Sequence, residues 1–268
     1  MPVRIRVELE PEQPTAVPPP QNAPAVNAAF LAAIRATDKG LATALHNAPR
    51  YKPFTLTPLL DHQDATPTDP GQPARFEVGL LADELTAPVL TALHGRARIR
   101  VGTTGYRVAE VGVVAAASYE ALAHSAATRN RWSFTLITPV SFATAANEGV
   151  RRERPWPDPD RIFTNLANRW DTFAGDVCLP LAAGDLIRDN LETTAGTLRL
   201  VPHLVKAPDI HRQGSVGEVT FRAASATGAP AEAVRAVDAL ATFANTAGFG
   251  DRTALGMGYV RLHQAGLP

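Results

Sequence analysis

"PAEAVRAVDALATFANTAGFGDRTALGMGYVRLH", residues 230–263, runs a helical pattern into a glycine cluster and then into a strand pattern. Val234, Val237, Ala241 and Ala244 recur on one face at helical spacing, and Pro230 stands near the start, where its missing N–H costs nothing. Gly248, Gly250, Gly256 and Gly258 follow around Asp251 and Arg252, and Tyr259 to His263 alternate as a short strand. Nucleotide-binding loops run the other way, strand first and helix last, so that a phosphate sits on the helix N-terminus. The reversed order argues against a Walker or dinucleotide fold and against NTP chemistry. The glycines then serve a close approach that a Cβ would block, to a ligand or to another stretch of backbone. For Gly248 a helix C-cap is the structural alternative.

Read backwards from this stretch, the second half of the chain has a strand at "RWSFTLITPVSF" and a helix at "DPDRIFTNLANRWDTFAG", with Ile162, Leu166 and Trp170 in register. A hairpin of "GTLRLVPHLVKA" and "GSVGEVTFRAAS" precedes the final helix and strand. The first half repeats the order. "VRIRVELE" alternates as a strand, and "PAVNAAFLAAIRA" is helical with Val26, Phe30 and Ile34 in register. A short helix follows behind a Thr37 or Asp38 cap, and then "KPFTLTPLL" and "RFEVGLLA" read as strands. "DELTAPVLTALHG" is a helix despite Pro88, and "RARIRVGTTGYRVAEVGVVAA" a strand pair. Two βαββαβ units predict an α+β protein of two tandem ferredoxin-like, RRM-like domains. The expected domains are residues 1–125 and 126–268, joined near residues 120–130. The Pro-rich residues 14–24 and the charged "RRERPWPDPD" at 151–160 read as loops.

Composition sets the outer limits. The 268 residues are 45% hydrophobic and 19% charged, enough for a core in each domain. Lys and Arg together match Asp and Glu at 26 each, so any surface for nucleic acid must be local rather than global. One cysteine, Cys178, makes no internal disulfide, and the N-terminus lacks a signal-peptide core. No apolar run reaches spanning length, so no membrane association is expected and the predicted location is cytoplasmic. Only Lys39, Lys52 and Lys206 are lysines, against 23 arginines. A compact ammonium does a different job from a planar guanidinium, which singles those three out.

Four stretches together resemble the RAMP superfamily of CRISPR-associated proteins: "VRIRVELEP", "LATALHNAPRYKPFTLTPLL", "FTLITPV" and "GFGDRTALGMGYV". Within it the chain looks most like the endoribonuclease that processes CRISPR repeat RNA. The resemblance implies a metal-independent cut in which the 2′-OH attacks the adjacent phosphorus, leaving a 2′,3′-cyclic phosphate and a 5′-OH. Such a cut needs a base for the 2′-OH, charge for the crowded phosphorane and an acid for the leaving oxygen.

His46 ends the short helix, six residues before Lys52, and lies about 100° around from Leu45. By itself it reads either as a solvated histidine at a helix C-terminus or as a proton-transfer group, for which a free pKa of about 6.5 is suited. The resemblance assigns His46 and Lys52 the catalytic roles. Many relatives place a tyrosine on the first helix, where this chain reads "NAAFLAAI"; Tyr51, Arg35 and Arg50 are the substitutes at hand. Expected RNA contacts are Arg129, Arg131, Lys206, Arg212 and Arg252 with Gly248, Gly250, Gly256 and Gly258; Arg151, Arg152 and Arg154 supply further local charge. The remaining histidines show no metal-ligand spacing, so neither metal nor cofactor is expected. The expected partner is CRISPR repeat RNA, with effector-complex subunits and a second copy of the chain as further candidates. A non-catalytic RAMP subunit that only binds guide RNA, and a small-molecule-binding protein on the same fold, are the alternatives; fold alone does not choose among them.

Overall fold

The computed structural model describes the chain apart from residues 20, 49–50, 145–151, 207–208, 225–227 and 264–268. It divides into two compact units. The first comprises Met1–Ala116 with Leu204–His211 and Arg252–Gly256; the second comprises Ala117–His203, Arg212–Asp251 and Met257–Pro268.

In the first unit the order is β1 (Val3–Pro11), α1 (Ala23–Thr37), α2 (Lys39–Asn47), β2 (Phe54–Leu56), β3 (Ala74–Leu80), α3 (Thr86–His94), β4 (Arg98–Val101) and β5 (Thr104–Ala116). The sheet runs β2-β3-β1-β5-β4 with antiparallel neighbours. This is the ferredoxin-like order, with β4 added as a hairpin strand outside β5. Val3, Ile5, Val7 and Leu9 alternate into the core, and Val26, Phe30 and Ile34 of α1 are buried as well. Asp38 performs two tasks between the helices. Its N–H donates to the Ile34 carbonyl and closes α1, while its Oδ1 accepts from Leu41 N at 2.9 Å and opens α2. Pro88 fits because it falls in the first turn of α3, before any intrahelical N–H is needed. The long strand expected over "KPFTLTPLL" shortens to β2, because Pro58 has no N–H for a ladder; Leu60 returns as an isolated bridge to Arg75.

The second unit contains α4 (Tyr119–Ser125), β6 (Arg131–Val140), β7 (Phe142–Thr144), β8 (Arg152–Arg154), α5 (Pro159–Phe173), α6 (Ala182–Asp189), β9 (Leu191–Lys206), β10 (Ile210–Ala223), α7 (Ala231–Ala247) and β11 (Val260–Leu262), the end of β9 and start of β10 clustering with the first unit. Its sheet runs β11-β6-β10-β9, the same order once more. One expectation is corrected. Residues 152–154, read as loop, form β8, since pairing with β7 satisfies their backbone. The expected junction holds α4, capped by the Ser118 hydroxyl on Ala121 N. Aromatic rings fill this core: Trp170 meets Tyr119 at 4.8 Å and Phe243 at 5.5 Å, and Phe134 meets Phe249 at 4.8 Å.

Candidate RNA-cleavage site

α2 explains the setting of His46. Ala42 and Leu45 face the core, and a residue one position past Leu45 turns out of it, so His46 is exposed in the last turn. The chain then returns through Lys52 into β2. The Lys52 Nζ donates to the Leu45 carbonyl at 3.1 Å and also to the His46 carbonyl. An ammonium on the last carbonyls of a helix satisfies groups that have no intrahelical partner and meets the negative end of the dipole. Burial pushes the Lys52 pKa below the usual lysine value. One proton-bearing and one cationic side chain are thus tied together through the backbone of α2.

α1 brings no acid or base to this pair. Phe30 is fully buried against Phe54, with ring centroids 5.2 Å apart, and Leu31 is 9% exposed. Arg35 is exposed in the last turn of α1, Tyr51 is half-buried, and Arg50 lies outside the described residues.

The glycine loop is a folded turn. Gly248 caps α7, its N–H donating to the Ala244 carbonyl at 2.8 Å. Phe249 N then bonds the Gly258 carbonyl at 2.8 Å, and Asp251 N bonds the Ser141 carbonyl at 2.9 Å. The Asp251 carboxylate accepts from Ala143 N at 2.6 Å. Gly250 has φ of +73°, and a Cβ there would collide with the Ser141 carbonyl. Much of the demand for bare backbone is thereby met by the chain's own backbone. Between the glycines stands an exception: Arg252 holds φ of +58° without being glycine. It leads into a short 3-10 turn, Thr253–Leu255, which packs in the first unit beside β2 and α1, where Asn27 Nδ2 donates to the Ala254 carbonyl at 2.9 Å.

The other expected RNA contacts differ in how far they are already engaged. Arg129 forks onto Asp238, its Nε donating to Oδ1 at 2.9 Å and its Nη2 to Oδ2 at 3.1 Å. Arg212 Nε pairs with Glu153 at 2.5 Å. Arg131 is exposed at the start of β6, and Lys206 is exposed at the end of β9. Arg151 lies outside the described residues.

Two residues with structural weight were not singled out from the sequence. Asp238 is wholly buried and also accepts from Ala127 N at 2.8 Å and Trp132 Nε1 at 2.9 Å. Arg169, 3% exposed, donates to the carbonyls of Ala247 and Gly248 at 2.5 and 3.4 Å, holding the end of α7 where the glycine loop begins. A signal existed for both: each is a charge set into an apolar helical face, Arg169 after Ile162 and Leu166, Asp238 beside Val237 and Ala241. Among the described residues no three His, Cys, Asp or Glu side chains gather as metal ligands.

Tandem ferredoxin-like units, a helix-end histidine bonded through its carbonyl to a lysine, and a glycine turn before the last strand together define a two-unit protein of the ferredoxin-like class. The model of the CRISPR-associated endoribonuclease Cas6 family matches residues 134–260. Among solved structures, a product complex of the Cas6 TTHB231 is 30% identical, with 98% of this chain and 100% of that chain covered and a TM-score of 0.83. Thermus thermophilus Cas6 TTHB231 is likewise 30% identical, covering 98% of each chain at a TM-score of 0.73. A Cas6-related protein from Pyrococcus furiosus, 16% identical over 99% of this chain and 100% of that one, shares the fold at a TM-score of 0.68. A search of curated protein sequences finds no match. The chain belongs to the Cas6 family of CRISPR-associated endoribonucleases.

Proposed function

We propose that the protein binds CRISPR repeat RNA and cuts precursor CRISPR RNA within it without a metal ion, the 2′-OH attacking the adjacent phosphorus. His46 transfers a proton at the attacking or the leaving oxygen, and Lys52 offsets the charge that builds on the phosphorane. The observation that carries this reading is the Lys52 ammonium on the Leu45 and His46 carbonyls: it keeps a cation within one residue of an exposed imidazole. Arg131, Lys206 and Arg252, with the Gly248–Gly258 turn, are the proposed RNA contacts; Arg129 and Arg212 join them by exchanging a carboxylate partner for phosphate. The reading places the reaction in the cytoplasm, and no helix among the described residues is long and apolar enough to cross a membrane. It extends to effector-complex subunits as recipients of the cut RNA and to a homodimer as the working form. Residues 1–125 and 126–268 are the proposed functional domains.

The test is cleavage of the cognate repeat RNA in EDTA, alongside the same RNA with a single 2′-deoxy position before the scissile phosphate. A single cut in EDTA, abolished by the deoxy substitution while binding persists, is the expected result. Cleavage lost on chelation and restored by a divalent ion, or a cut in the deoxy RNA, overturns it. Tight binding without any cut makes the protein a guide-RNA-binding subunit instead.

A further inference from the structure

The segment "RARIR", residues 96–100, has no part in the cleavage site, yet it borders a groove of about 400 Å³ in the first unit. On one side α1 contributes alanines alone, Ala25, Ala28 and Ala32 among them; on the other stand Arg96, Arg98 and Arg100. The alanines keep the wall low, so that a ligand can come close to the helix. β4 is the edge of its sheet, paired only with β5.

The charge along this edge is largely uncommitted. Arg98 pairs with Glu12 at 3.0 Å while remaining 80% exposed. Arg100 is exposed, and neither it nor Arg96 has an ion-pair partner among the described residues; the Arg96 Nε is buried with no hydrogen bond at all. A buried guanidinium nitrogen left without an acceptor is costly, and an incoming anion would relieve it. Residues two apart on a strand are about 6.8 Å apart. Arg98 and Arg100 therefore present charge at a regular interval, which suits a repeating anion better than a single phosphate.

We propose that this groove binds the sugar–phosphate backbone of single-stranded RNA that flanks the cut repeat. The proposal rests on the cleavage function above and adds a second binding surface to it. Guanidiniums fork onto phosphate oxygens, and the alanine wall admits ribose without a steric barrier. An acidic protein segment would meet the same charges, and the experiment separates the two.

The test compares the wild type with the double variant Arg96→Ala/Arg100→Ala and with Ala28→Glu, which sets a carboxylate in the groove from an exposed helix position and leaves the arginines in place. Each is titrated, over a range of salt, with repeat RNA carrying single-stranded flanks and with the shortest RNA that the wild type still cuts. Both variants should bind flanked RNA roughly tenfold more weakly, and the double variant should lose about 1.4 from its salt slope, at about 0.7 for each single-strand phosphate contact. Affinity for the trimmed RNA, the rate at saturating RNA and the circular dichroism should stay at wild-type values. Flanked RNA bound with wild-type affinity and slope overturns the proposal and leaves an acidic protein as the groove's partner. Equal weakening for flanked and trimmed RNA also overturns it. If the wild type cuts no RNA, the cleavage reading fails, but the affinities of wild type and variants for flanked RNA still decide the groove.

Discussion

Replacing His46 by alanine separates chemistry from folding, because the structure gives the side chain almost no part in the fold. It is exposed in the last turn of α2, where alanine is the better helix former. Surface substitutions of this kind change stability by no more than about 0.5 kcal/mol. Loss of a general acid or base costs on the order of 10²-fold or more in rate, or about 2.7 kcal/mol of transition-state stabilisation. The expected result in single-turnover cleavage, with protein in excess of repeat RNA, is a fall of at least about 10²-fold with RNA affinity and thermal midpoint unchanged. The fold supplies its own control. His94 also stands exposed in the last turn of a helix, α3, so His94→Ala repeats the loss of an imidazole and the change in helix propensity without touching the site. It should cut at the wild-type rate, as should His62→Ala. A His46→Ala protein that cuts as fast as His94→Ala would show that His46 is a solvated helix end and would refute the reasoning.

Lys52 is held below the usual lysine pKa by burial, so its charge fades at a lower pH than that of an exposed lysine. The part of the rate that depends on it should therefore fall on the alkaline side, after subtraction of background RNA hydrolysis, while Lys52→Arg, charged throughout, stays flat over the same range; parallel profiles would remove Lys52 from the chemistry. Gly250→Val places a β-branched side chain at φ of +73° against the Ser141 carbonyl, and should cost about 1–3 kcal/mol in urea denaturation; an unchanged midpoint would contradict the close contact. Asp238→Ala leaves the Ala127 N–H, the Trp132 indole N–H and the Arg129 guanidinium without their acceptor, a loss of about 3–5 kcal/mol by analogy with other broken buried pairs, read in the same assay. Arg129→Ala, which removes only the half-exposed partner, should cost less; equal losses would misplace the energy. Arg252→Gly relieves a left-handed arginine, so stability should hold or rise while repeat-RNA affinity falls and its salt slope drops by about 0.7. Unchanged affinity would take Arg252 off the RNA surface.

The elements legible in the sequence were those whose signal is carried by their own period. α1 and α7 announce themselves by an apolar face repeated over four turns, and β1 by strict alternation. β7, β8 and α4 are too short to carry a period; three-residue strands exist only because a distant partner bonds them, and that partner is invisible in the local sequence. Something similar holds at the site. That His46 leaves the buried face of α2 followed from its place after Leu45, but that the Lys52 ammonium turns back onto the α2 carbonyls depends on where β2 begins, a tertiary fact. The charge balance of zero was legible and uninformative, because Arg129 and Asp238, or Arg75 and Asp64, cancel as buried or half-buried pairs, while Arg96 and Arg100 do not cancel locally.

The glycine loop shows why residue type alone does not separate structure from function. Gly248 and Gly250 sit where the backbone turns left-handed and closes on other backbone, so their presence is explained without any RNA. Arg252 is the opposite case. Its φ of +58° is one that glycine or asparagine would hold more cheaply, and an L-residue there carries roughly 1–2 kcal/mol of strain. The backbone conformation alone gives no reason for that choice, since glycine would adopt the same φ more easily. A strained residue that persists is a reason to look for a task its side chain performs, and a guanidinium in the loop between Gly250 and Gly256 is suited to a phosphate. The glycines of this loop thus supply the shape, and the informative residue is the one among them that is not glycine.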